Sequence, residues 1–208
     1  MSSATATDIT PYDAIPLDVG PASPDRPSLL LTATALASAA VCMGFLGLMG
    51  VYIAARQDVL ATGQRWLPDG VNIPLTQPNF MGLTLAFSVV TIWWSVAAVR
   101  NDDRANSFIA SALSLTFAFA FLAQTAYLFT IMGIEILATE RAVLLYGIIG
   151  AHMVMMLVAM GFVLIMAMRT LGGEYSSRDY EGVACAALFW TMTVAMYGVM
   201  WYVIYITK

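Results

Sequence analysis

The sequence predicts an all-α protein, an integral membrane bundle of five transmembrane helices. Composition is the first reason: of 208 residues 60% are hydrophobic and only 11% charged, with a mean hydropathy of +0.79. A soluble domain carries about 25% charged residues. The second reason is where the charges sit. None falls between Arg26 and Arg56, and the segments 70–99, 105–134, 142–168 and 182–207 have none either. Each gap exceeds the roughly 20 residues, at about 1.5 Å apiece, that cross a bilayer. The third is the lack of polar faces that a soluble helical domain needs on its outer helices.

The elements follow in chain order. Residues 1–28, MSSATATDITPYDAIPLDVGPASPDRPS, are polar, proline-rich and acidic. With no basic start and no apolar centre they make a tail rather than a signal peptide. The transmembrane domain is expected over 29–208, with spans at about 29–55, 80–99, 107–133, 142–168 and 182–206. Pro27 introduces the first span, and a loop rich in proline and glycine around Trp66 separates it from the second. RNDDRAN closes the second span, with Asn106 the expected cap of the third. GIEILATER and LGGEYSSRDYEG are the remaining turns. Five spans put the termini on opposite sides. With the N-terminus inside, Arg26, Arg100, Arg104, Arg169 and Arg178 face Arg56, Arg65, Arg141 and Lys208, a slight inside excess.

Several chemistries are excluded. Cys42 and Cys185 lie in apolar runs, where a thiol packs as a small hydrophobe, and two cysteines cannot alone hold zinc. A net charge of −4 without a basic cluster argues against nucleic acid. No nucleophile–base pair, intramembrane carboxylate pair or phosphate loop is present. Catalytic, cofactor-binding and metal-ligating residues are therefore expected to be absent.

What remains are packing candidates. Gly44, Gly47 and Gly50 recur at three-residue intervals on one helix face, where missing side chains let another backbone approach in lipid. Gln124 and Tyr127, one turn apart, are expected to point into the bundle and find partners. His152 is the only histidine. A packed, hydrogen-bonded imidazole is the reading adopted, against two alternatives: ligation of a haem shared with another subunit, and a proton relay. Met155, Met156 and Met160 nearby fill gaps more readily than they bind copper(I). The whole describes a bundle built to sit against lipid and a neighbour. A small membrane transporter and an assembly factor are the competing classes.

Taken in order, these stretches resemble subunit III of the haem–copper cytochrome c oxidases in its five-helix form. GLMGVYIAAR, Gly47 to Arg56, resembles the family's Gly-Leu-Phe-Ala-Ala-Tyr-Phe-x-x-Arg helix, and WLPDG at 66–70 its Trp-Pro-Pro loop. Gln124 matches the glutamine of Gln-x-x-Glu-Tyr. Gly150 and His152 match the glycine and first histidine of Gly-Phe-His-Gly-Leu-His-Val, and Phe189 and Trp190 the aromatic pair before its final histidine. The family's other polar positions fall at Val41, Tyr127, Met155, Thr191 and Val194.

The resemblance implies an accessory subunit of an aerobic terminal oxidase that oxidises cytochrome c and reduces dioxygen to water. Haem and copper would belong to partner subunits I and II, and this chain would hold no cofactor. It further implies two helices plus three around a V-shaped, lipid-filled cleft, with spans one and two as the smaller group. Phospholipids and a cytochrome bc-type supercomplex join the expected partners. The expected location is the bacterial plasma membrane, N-terminus cytoplasmic and C-terminus outside. The subunit-III-like protein of nitric oxide reductases is the alternative within this resemblance.

Overall fold

The computed structural model describes residues 28–66, 74–133 and 139–207. The N-terminal tail to residue 27 and all of the WLPDG loop except Trp66 lie outside the described residues. Five helices are each long and apolar enough to cross a membrane. They are α1 (Leu29–Ala61), α2 (Thr76–Arg100), α3 (Arg104–Met132), α4 (Glu140–Leu171) and α5 (Glu181–Met200), the last running into a π-helical turn, Trp201–Ile206.

The helices overrun the charge-free gaps because two different physical events end them. Charge marks where the hydrocarbon stops, whereas a helix continues until its backbone hydrogen bonds are capped. The 33 residues of α1 amount to about 50 Å, well past a hydrocarbon layer of about 30 Å. Arg56 and Asp58 therefore ride on its last turns. At the start of α3 the cap is Asp103 rather than Asn106. The Asp103 carboxylate accepts the Asn106 backbone N–H at 3.0 Å, placing Asn106 inside the first turn. Thr139 caps α4 in the same way, accepting from the Ala142 N–H. Gly133 ends α3 at φ 63°, a left-handed conformation that glycine adopts without Cβ strain.

Packing departs from the expected two-plus-three arrangement. The closest partner of α2 is α3, while α1 packs on α5 and, less, on α4, so α1 and α2 do not form a separate pair. Helix α5 is central, touching α1, α2 and α4. Burial follows: 56% of the apolar window of the last helix is covered, against 11% for α1. Helix α1 seats one edge, Ser38, Cys42, Phe45, Met49 and Tyr52, whose alternating spacings of four and three keep them in line.

Candidate functional site

A seam of hydroxyls joins α2 to α3. Ser88, Thr91 and Ser95 stand on α2 and Ser107, Ser111 and Ser114 on α3, all buried. Spacings of three and four put each set on one stripe. The Ser95 hydroxyl lies 2.9 Å from that of Ser107 and 2.8 Å from that of Ser111, and Thr91 Oγ1 lies 2.6 Å from Ser114 Oγ. The Trp190 indole N–H on α5 donates to Ser88 Oγ at 2.9 Å, bringing a third helix onto the seam. Small side chains let these backbones approach, and in lipid no water competes for the hydroxyls. Sequence reasoning missed this feature. Its signal is Ser-x-x-Thr-x-x-x-Ser on α2 against Ser-x-x-x-Ser-x-x-Ser on α3, the same small polar residues at opposed helical spacings.

His152 is fully buried where α1, α3, α4 and α5 meet. Its Nε2–H donates to the Thr193 carbonyl of α5 at 3.0 Å. The rings of Phe45, Phe121 and Tyr197 surround it at centroid distances of 5.9, 5.6 and 5.6 Å. Among the described residues Nδ1 has no hydrogen-bond partner, and no three of His, Cys, Asp and Glu come together. The ring thus braces α4 to α5. His152→Leu is expected to lower stability by about 1 kcal/mol, because transmembrane hydrogen bonds average about 0.6 kcal/mol and a branched side chain of similar volume but different shape repacks imperfectly among the surrounding rings. Thermal unfolding in detergent measures this, and the visible spectrum should not change. A fall larger than that of Trp190→Ala would refute the bracing role.

The remaining candidates separate. Gln124 is half-buried and its Nε2 donates to Thr84 Oγ1 of α2 at 3.3 Å. Tyr127 does not share that environment: it is exposed on the outer surface of the bundle. Three residues turn the helix about 60° short of a full circle, enough to carry Tyr127 past the edge covered by α2. A tyrosine near a helix end can keep its ring in hydrocarbon and its hydroxyl towards the interface. Gly150 is half-buried with open space above its Cα. Gly44, Gly47 and Gly50 approach no other helix among the described residues. They lie on the exposed face of α1, and an added Cβ would meet nothing within 4 Å. Gly44 and Gly47 belong to a longer exposed row with Ala33, Ala37, Ala40 and Ala54, interrupted by Val51, on the opposite side from the seated edge. Thr191 keeps a polar role, accepting from the Trp93 indole N–H at 3.0 Å.

Both ends of the bundle are tied. Where α1, α3 and α5 begin, Asp102 accepts the Ser177 backbone N–H at 2.7 Å, which holds its carboxyl below the usual range and joins two turns. Arg100 lies 4.4 Å over the Tyr180 ring, and the Glu181 carboxylate accepts the Leu31 N–H of the first turn of α1 at 3.3 Å. A carboxylate suits the positive end of a helix dipole. At the opposite end Arg141 donates to the Arg65 carbonyl at 2.9 Å and to Gln64 Oε1 at 3.0 Å. There Tyr197 donates to the Pro78 carbonyl at 2.7 Å and the Trp201 indole to Asn79 Oδ1 at 2.8 Å, fastening α5 to α2. Several of the buried polar side chains are thus engaged in helix-to-helix contact, an arrangement suited to holding shape.

Comparison with known proteins accords with this. Residues 33–208 match the family model described as cytochrome c oxidase subunit III. The chain is 22% identical over 167 residues to the cytochrome c oxidase subunit 3 of Strongylocentrotus purpuratus, covering 79% of this chain and 64% of that one. It is 23% identical over 167 residues to that of Thermostichus vulcanus, covering 78% and 79%. The chain therefore spans less than two thirds of the length of the first relative.

Proposed function

The chain belongs to the cytochrome c oxidase subunit III family, and on that premise we propose that it is an accessory, non-catalytic subunit of an aerobic respiratory terminal oxidase. Its work is to stabilise the catalytic subunit, which with its partner would carry the haem and copper, and to hold phospholipid against the complex. One observation carries the reading: several buried polar side chains lock helix to helix, while α1 leaves an exposed row of small residues, broken at Val51, uncovered by the described residues. A bundle of that design supplies contact surface rather than chemistry. The orientation we propose is N-terminus cytoplasmic, in a bacterial plasma membrane.

Purification in mild detergent through a tag on this chain tests the proposal. Haem- and copper-bearing polypeptides should come with it, and the chain stripped of them should have no redox spectrum. Stoichiometric haem on the isolated chain, or no catalytic polypeptide in the preparation, would sink the assignment. Gly47→Leu refines the test. Because nothing among the described residues lies within 4 Å of a Cβ added at Gly47, the isolated bundle should unfold at the wild-type temperature. The yield of complex should fall, since a branched side chain keeps a partner backbone away. Unchanged yield would remove this face from the contact.

A further inference from the structure

Helices α1 and α4 stand apart where α1 ends and α4 begins, around a cleft of about 820 Å³. Ala55, Asp58 and Val59 line it from α1, and Glu140, Val143 and Leu144 from α4. Spacings of three and four keep each set on one helix face. The buried Trp66 closes one side. Asp58 and Glu140 are exposed while Ala55, Val59 and Leu144 are half-buried, so an apolar interior carries a carboxylate on each facing wall. Among the described residues neither carboxylate makes a hydrogen bond or an ion pair. The neighbouring cations are engaged elsewhere. Arg141, which also lines the cleft, donates to the Arg65 carbonyl and to Gln64 Oε1 and lies 5.9 Å over the Trp66 ring. Arg56 donates to Thr207, about 200° round α1 from Asp58.

The unpaired charge facing this cleft is therefore negative, and the flanking stretches of the chain do not balance it. Residues 67–73 and 134–138 contain Asp69 and Glu135 and no basic residue. A volume between about 300 and 1,000 Å³ holds a drug-sized molecule rather than a bare ion. Lysine and arginine lay an apolar stem along such walls and bring the charged head to the rim. We propose that the cleft receives a basic, partly apolar peptide segment of a partner polypeptide, with its cationic heads on Asp58 and Glu140. Complementary charge then selects which segment enters and fixes its register. The partner's identity rests on the proposed function, but binding is measured on this chain alone, so either can fail without the other.

The full chain in detergent is titrated into a fluorescent Leu-Lys-Leu-Lys-Leu peptide with blocked ends, and binding is followed by anisotropy. The same peptide with glutamate in place of lysine is the control, and spermidine the competitor. The lysine peptide should bind and the glutamate peptide should not. Asp58→Asn and Glu140→Gln should each weaken binding about three- to fivefold, as loss of an exposed ion pair does at the upper end of its range. Both variants should unfold at the wild-type midpoint, because neither carboxylate is bonded within the bundle. Val143→Trp fills the cleft without altering its charge and should block the peptide. Equal binding to wild type and all three variants overturns the proposal, as does a glutamate peptide that binds as tightly, or no binding at all. Displacement by spermidine at the peptide's own dissociation constant would assign the cleft to a small polyamine and overturn it too.

Discussion

Ser95→Leu is expected to force α2 and α3 apart and to destabilise the chain by about 2–4 kcal/mol. Ser95 is fully buried and its hydroxyl serves two side chains of α3, Ser107 and Ser111. Leucine removes those contacts, at about 0.6 kcal/mol each, and overfills a tight seam, for about 1–3 kcal/mol more. Ser95→Ala separates the two terms. It deletes the hydroxyl without crowding the seam, so its loss should stay near 1 kcal/mol. Unfolding in a graded denaturing detergent reports both. Equal losses for the two variants would mean that hydrogen bonding, not closeness of approach, holds this pair together.

Trp190→Ala should cost about 3–5 kcal/mol, the usual range for a buried aromatic side chain cut back to alanine. Trp190 is the largest of the fully buried side chains and joins α5 to α2 through Ser88. In lipid the loss is one of packing contacts rather than of hydrophobic transfer, because hydrocarbon outside the bundle is as apolar as its core. Trp190→Phe should be much milder. It keeps most of the volume, and Ser88 Oγ still donates to the Leu85 carbonyl at 2.7 Å. A Trp190→Ala variant that unfolds at the wild-type midpoint would show that the α5 centre can collapse around the cavity.

Legibility differed from feature to feature. His152 was readable as a brace because a lone imidazole without a second donor has few other uses, and its acceptor is a backbone carbonyl of α5. The glycine triplet on α1 was readable as a bare face, but among the described residues no other helix comes within 4 Å of an added Cβ. Tyr127 was expected inside and lies outside. The hydroxyl seam went unnoticed because serine and threonine bond their own helix as readily as another. Thr91, for example, bonds the Ser88 carbonyl of its own helix as well as Ser114.

The sequence by itself determined the five helices, among the described residues, that are long and apolar enough to cross a membrane, because the penalty for placing charge in hydrocarbon acts on each residue alone and leaves its mark in the order of letters. Only the tertiary structure decided that α2 pairs with α3, that α5 occupies the centre and that α1 stands at the edge. In lipid an apolar side chain is equally at home inside or outside the bundle, so hydropathy cannot say which face is covered. That choice belongs to pairs of surfaces, and small residues and hydroxyls make it only when two helices come together.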